Sequence, residues 1–298
     1  MKFGKLDSLV GVDFTLPLDH PDTAKVLNGI DTQTQVYQGG TMWNIPEWLG
    51  KIYLEKTRKA DFISAYGQQF STIELNATHY RIPTKETVEK WSDSMPDDFV
   101  FCPKFPQSIS HYRRFNNCDD VTDQFLEVIH YLGKKLSTSF IQLPPNYSAK
   151  KGEELVRYLE KLPRDMRFAI EFRNEDWFDG NHEAEATWQS LRSMGIGSVI
   201  TDTGGRRDAV HMRLTTPDCI VRFGGNELDP TDYTRIDAWI SRISSWKRHG
   251  LESFQLWMHQ PNSVLSPETC IYFSEKLKAS NGLECKRPRL LNNNLTLF

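Results

Sequence analysis

Carboxylates and cations recur at matching places in a series of short segments whose apolar residues alternate. Glu74 and Asn76 lie in TIELNAT, Lys104 in FVFCPKFP, Gln142 in SFIQLPP and Glu171 with Arg173 in RFAIEFR. Asp202 lies in GSVITDT, Arg222 in CIVRFGG and His259 in SFQLWMHQP. Brought together, the three cations suit an anionic group. Arg173 and Arg222 offer planar, bidentate donors to phosphate or carboxylate, and Lys104 offers a point charge. Glu74 and Glu171 are the candidate general acid and base, with pKa values open to tuning by burial and by neighbouring cations, and Asp202 is a further carboxylate. His111, shortly after the third segment, fits a proton shuttle or phosphate contact, and equally a surface histidine.

These residues need elements to hold them. Eight β-type runs, at 36–41, 72–78, 99–106, 139–145, 167–173, 197–203, 219–225 and 253–261, mostly alternate with amphipathic helical stretches. Such an order implies parallel crossovers and predicts an α/β fold, a (β/α)8 TIM-like barrel rather than an open doubly wound sheet. Between the sixth and seventh runs only RRDAVHMRLTTPD is available, so the pattern is irregular there. The expected organisation is a lead-in over 1–35, irregular or plugging the barrel bottom, one barrel domain over 36–280 and a tail over 281–298. The tail carries Lys286, Arg287 and Arg289 and either docks on the body or frays.

Parity decides which way the polar residues point, because helix-facing positions of a parallel barrel are apolar. Ile73 and Leu75 face helices, so Glu74 and Asn76 point inward. The same rule turns Lys104, Gln142, Glu171, Arg173, Asp202 and Arg222 inward, and places Trp257 with His259 on one face. They sit in the C-terminal halves of their strands, where barrel enzymes build their sites. The competing account is a self-satisfied ion network filling the interior, since buried charges must be paired. The charges are read as a ligand site, since desolvating so many of them is costly without a use.

Formal net charge is −3, so no global positive field draws nucleic acid or an anionic membrane; a nucleic-acid partner has no support from charge. Five scattered cysteines argue against a disulfide framework, and no segment has the length and apolarity of a membrane span. These features suit a cytoplasmic protein. Sugar hydrolysis of the usual barrel type needs carboxylates at strands four and seven, which here carry Gln142 and Arg222. A divalent metal is disfavoured because arginine and lysine interleave with the carboxylates and no HxH or HExxH spacing is present. No cofactor is expected. GGRR at Gly204–Arg207 reads as a phosphate cradle or, more simply, an exposed loop.

The strings GGTMWNIPEW, FSTIELNATHYRIPTKETVEKW, DDFVFCPKFPQSISH, FIQLPPNYS, RFAIEFRNEDWF and IVRFGG resemble, in order, the signatures of the YecE-like family, a domain family of unknown function. The resemblance runs from about Val36 to His259 and implies a barrel of the (β/α)8 type. It highlights Trp43, Trp48, Glu74, Asn76, Tyr80, Lys104, His111, Gln142, Glu171, Arg173, Trp177, Asp202 and Arg222. QLWMHQPNS departs from the family's last strand, where His259, Gln260 and Asn262 stand in. Trp43, Tyr80, Trp177 and Trp257 are expected either to wall a cleft or to pack the core. The leading expectation is a hydrolase acting on a phosphate-bearing substrate through Glu74 and Glu171. Its alternatives are a non-catalytic binder of a phosphorylated metabolite or nucleic-acid end, and a metal-dependent phosphoesterase or glycosidase-like enzyme.

Overall fold

The structure is a computed structural model and describes residues 3–291. Eight strands alternate with helices: β1 (Gln35–Gly39), β2 (Thr72–Leu75), β3 (Val100–Pro103), β4 (Ser139–Gln142), β5 (Phe168–Glu171), β6 (Gly197–Asp202), β7 (Asp218–Gly224) and β8 (Ser253–His259). They form a six-stranded parallel sheet in the order β1-β8-β7-β6-β5-β4 and a parallel pair β2-β3. Each expected run overlaps one strand, although β1 and β7 begin one residue before theirs. Most of the strands end earlier than the expected runs because the chain turns as soon as the ladder stops.

The two sheets meet at both edges. Ser71 and Glu74 donate backbone N–H groups to Gln38 and Gly40, each at 3.1 Å, joining β2 to β1. At the other edge Ser137 donates to Phe101, and Phe105 to Phe140, each at 2.9 Å. Gly39 is required at the first junction, since a Cβ there would collide with the Thr72 carbonyl.

Helices cover the outer face: α1 (Pro21–Val26), α2 (Phe62–Gln69), α3 (Ala77–Tyr80), α4 (Lys85–Ser94), α5 (Asp119–His130), α6 (Gly152–Leu159), α7 (His182–Met194), α8 (Pro230–Lys247) and α9 (Ser266–Asn281). Their ends carry the usual signals. Asn181 caps α7 by accepting from Ala184 N at 2.9 Å, and Gly195 closes it with φ 67°. Asp229 caps α8 immediately before Pro230.

Between β6 and β7 the chain makes only a short 3₁₀ turn, Arg207–Ala209. The lead-in takes over there. Asp22 of α1 pairs with Arg192 of α7 at 2.8 Å and with Arg213, while Asp19 accepts from Arg242 and Trp246 of α8. Residues 17–34 thus occupy the flank that a β6–β7 helix would cover. Residues 3–9 do not plug the bottom: Gly4 O accepts from Gly205 N at 2.8 Å and Thr203 Oγ1 at 3.0 Å, over the C-terminal end of β6.

The tail docks as far as it is described. Lys286 Nζ bonds Asp98 at 2.9 Å and Gly67 O at 3.1 Å, and Leu291 N bonds Lys51 O at 2.8 Å. Expectations about 292–298 lie outside the described residues.

Strand parity sorts side chains into two apolar sets. The larger core lies between strands and helices; a second, separate cluster of Cys102, Phe140, Ala169, Val199, Ile220 and Trp257 fills the inner face. Trp257 packs on Phe140 with centroids 4.7 Å apart, which gives the inner face a dry floor below the polar residues.

Candidate functional site

One residue above that floor organises the rest. Arg222 of β7 is buried and reaches across to two carboxylates. Its Nε and Nη2 donate to the two oxygens of Glu74, each at 2.8 Å, and Nη1 donates to the Glu171 oxygens at 2.6 and 2.7 Å. Both carboxylates are fully buried. Glu171 Oε1 also accepts from Arg173 Nε and Nη2, each at 3.1 Å, and from Thr201 at 2.9 Å. Glu74 Oε2 lies 2.6 Å from His259 Nε2. A carboxylate only accepts, so Nε2 carries the proton and Nδ1 the lone pair.

The electrostatics follow from these contacts. Burial pushes the Glu74 carboxyl up, but Arg222 and His259 outweigh it and hold the group well below the usual range. Glu171 is raised by burial in the same way, yet Arg173, Arg222 and Lys104 bring it down to about 2. Both residues therefore remain ionised at neutral pH. Burial and the adjacent Arg222 lower Lys104 to about 7, against the pull of Glu74 and Glu171. Its ammonium donates to Gln142 Oε1 at 2.7 Å and stands 5.9 Å over the Phe140 ring, but makes no ion pair among the described residues.

Next to Lys104 are two histidines. His79 Nδ1 lies 2.7 Å from the Phe105 carbonyl, which fixes its proton on Nδ1, and the rings of His79 and His111 meet edge-on at 5.2 Å. Burial first, then the nearby Lys104 and Arg173 charges, hold both near 4. His111 belongs to a π-turn, Ser108–Tyr112, that follows β3, and its Nδ1 is 2.8 Å from Ser110 Oγ.

The structure thus brings together Glu74, Lys104, His111, Gln142, Glu171, Arg173, Arg222 and His259. Others fall elsewhere. Asp202 does not point inward: Val199 and Thr201 take the inner positions of β6, and Asp202 faces α8. There it accepts from Trp239 at 2.8 Å, Arg235 at 3.1 Å and Arg207 at 2.5 Å. Parity misled because β6 is buried on both faces, so Val199 and Ile200 are both apolar and mark neither side.

Trp43 packs edge-on against Trp91 of α4 at 5.7 Å, in an outer groove. Trp177 packs on Phe172 at 4.4 Å and donates to Tyr147 O at 2.8 Å, on the helix side of β5. Neither walls the charged cluster. Asn76 is half-buried where β2 ends, and Tyr80 is 73% exposed at the end of α3. The GGRR cations are committed: Arg206 pairs with Asp208 at 2.6 Å and Arg207 with Asp202.

Sequence reasoning missed His79, Thr201, Phe140 and Phe3. His79 is displaced from strand parity by α3, which starts directly after Asn76. Phe3 lies over the Arg173 guanidinium at 4.6 Å, a contact made by the lead-in that no strand pattern encodes. Among the described residues no three His, Cys, Asp or Glu side chains gather as a metal-ligand set.

Asp202→Ala tests the separation of structure from site. It leaves Arg235 with Asp232 as its one carboxylate among the described residues and Trp239 without its acceptor, so urea denaturation should read a loss of about 3 kcal/mol.

Fold and site together define a class: a parallel α/β protein whose strand ends carry a buried, charge-paired cluster with one further ammonium. The chain belongs to the family described as "Protein of unknown function DUF72", whose profile matches residues 37–291. It is 28% identical over 253 residues to UPF0759 protein YecE of Escherichia coli strain K12, covering 78% of this chain and 89% of that protein. To UPF0759 protein YunF of Bacillus subtilis strain 168 it is 31% identical over 201 residues, covering 64% and 70%. The fold is shared with a DUF72 family protein of Enterococcus faecalis V583, with TM-score 0.64 and 16% identity, covering 88% of this chain and 99% of that one. It is also shared with a DUF72 family protein of Thermotoga maritima MSB8, with TM-score 0.60 and 22% identity, covering 82% and 99%.

Proposed function

We propose that the chain is a hydrolase-like cytoplasmic enzyme that binds a phosphate-bearing, anionic substrate at the strand ends, with Lys104 and Arg173 holding the anion. In this reading the eight strands close as a (β/α)8 barrel, which the backbone hydrogen bonds at both sheet junctions support. The observation that carries the function is a charge imbalance. Glu74 and Glu171 are matched by Arg222 and Arg173, whereas among the described residues the buried Lys104 ammonium has only an amide oxygen as its hydrogen-bond acceptor. Desolvating a cation without a counter-charge is costly, and a bound anion would remove that cost. His79 and His111, both neutral at neutral pH, border the same place. Glu74 and Glu171 clamp Arg222 here, rather than exchanging protons with substrate. No resident metal or cofactor enters the scheme.

The committed carboxylates also support a second reading, a non-catalytic binder of a phosphorylated ligand. The two share an anion site and part over turnover.

Titration calorimetry with inorganic phosphate tests the shared site. Lys104→Met should weaken phosphate binding by about tenfold or more, the worth of a hydrogen bond to a charged group. In the wild type, NMR of labelled lysine should show phosphate raising the Lys104 pKa from about 7. Absence of phosphate binding, or a Lys104→Met variant that binds as tightly as the wild type, refutes the anion site.

A further inference from the structure

We propose that His259 is the general base of this site, taking a proton through Nδ1 from a water or ligand hydroxyl, with Glu74 as its positioning residue. The assignment rests on the anion-site reading for its electrophile. Its geometry stands apart from Lys104. The Nε2 proton is fixed on Glu74 at 2.6 Å, and Arg222 in turn fixes both oxygens of that carboxylate. The ring can therefore neither flip nor change tautomer without breaking the chain of bonds.

The other ring nitrogen looks the opposite way. Nδ1 has no hydrogen bond among the described residues, and the ring lines a cavity of about 250 Å³ beneath residues 4–9. Gly4, Thr203, Gly224, Gly225, Asn226 and Pro261 contribute to its wall. Gly224 lies level with His259 in the β7–β8 register, so no side chain from β7 fills the space in front of the imidazole. The size suits a water and a small hydroxyl-bearing group rather than a drug-sized ligand.

His79 is the competing base and fails on charge. It also holds one proton and one lone pair, but its partner is a neutral carbonyl and its neighbours are Lys104 and Arg173. An imidazolium formed there meets cations. One formed at His259 meets the Glu74 carboxylate directly, which offsets the cost of charging a buried ring. Among the described residues the charged groups facing His259 are Glu74 and Arg222, with Lys5, Asp7 and Glu227 across the cavity.

With p-nitrophenyl phosphate the step balances. The water oxygen forms a bond to phosphorus as its proton passes to Nδ1. The bond from phosphorus to the phenol oxygen breaks and p-nitrophenolate leaves as the anion. The imidazolium then returns its proton to solvent.

The test uses the full chain with p-nitrophenyl phosphate and bis(p-nitrophenyl) phosphate, together with diethyl pyrocarbonate labelling read by mass spectrometry. His259→Gln should lower kcat about 100-fold with KM and inorganic-phosphate affinity nearly unchanged. Glu74→Gln should lower kcat less and move the acid limb of the pH profile downward, because the carboxylate no longer favours the imidazolium. His259 of the folded wild type should be acylated at neutral pH, a readout that no variant's misfolding can obscure. Full protection of His259, or a His259→Gln variant with wild-type kcat, overturns the base assignment. Phosphate binding without turnover of either ester overturns it alone. Absence of both binding and turnover overturns the anion site as well.

Discussion

Arg222→Met should lower the melting temperature by about 10 °C, the equivalent of about 3–5 kcal/mol for breaking a buried ion pair. Few single substitutions of this chain should cost more. Methionine matches much of the arginine volume, so the loss comes from charge: Glu74 and Glu171 would face each other across an apolar floor with no guanidinium between them. Arg173 and Thr201 still serve Glu171, and His259 serves Glu74, which keeps the loss below that of two naked carboxylates. Adding Glu171→Gln to Arg222→Met should recover part of the stability, since it removes one of the stranded charges. Scanning calorimetry on the three proteins decides it. A single variant that melts within about 2 °C of wild type would show that Arg222 does not hold the cluster together.

Acid should undo the same cluster. Glu171 sits at about 2 in the folded chain against an ordinary 4.5, so the folded state binds fewer protons than the unfolded state through that interval. Stability therefore rises with pH there. The contribution is fully present above about 4.5 and is lost as pH falls through 2; a shift of this size corresponds to about 3 kcal/mol. Glu74 and Asp202 are lowered too and add in the same direction. Lys104 acts at the other end. Its folded value of about 7 lies below the ordinary 10.5, so the unfolded state binds more protons between them and stability should keep rising as pH climbs through that range. Urea midpoints measured from acid to alkaline pH should show both limbs; Lys104→Met should remove the alkaline one and shrink the acid one in part, because the Lys104 charge helps to lower Glu171. A flat acid limb in the wild type would contradict the paired carboxylates.

Chain order and strand parity were legible because they depend on local chemistry. Alternation in TIELNAT and RFAIEFR follows from one face meeting helices, and it placed Glu74, Glu171 and Arg173 correctly on the inner face. The missing helix between β6 and β7 was legible too, because thirteen residues rich in charge and β-branched side chains carry no helical period. Parity failed for Asp202, where both faces of β6 are apolar and alternation carries no information. It could not reach the aromatic residues either: Trp43 and Trp177 follow strands at positions a cleft would use, yet loop geometry turns both toward helices.

By itself the sequence determined the parallel α/β order, the inward face of most strands and the set of charges that face would carry. Which charge pairs with which was decided only by the tertiary structure. Arg222, Glu74 and Glu171 are separated by 148 and 51 residues along the chain, and pairing depends on the distance across the sheet, not on spacing in sequence. The same packing leaves Lys104 without a carboxylate partner among the described residues, and it places His259 so that one nitrogen is held by Glu74 while the ring lines a cavity. Composition supplies the charges, but only packing fixes which of them are neutralised by a partner of opposite sign.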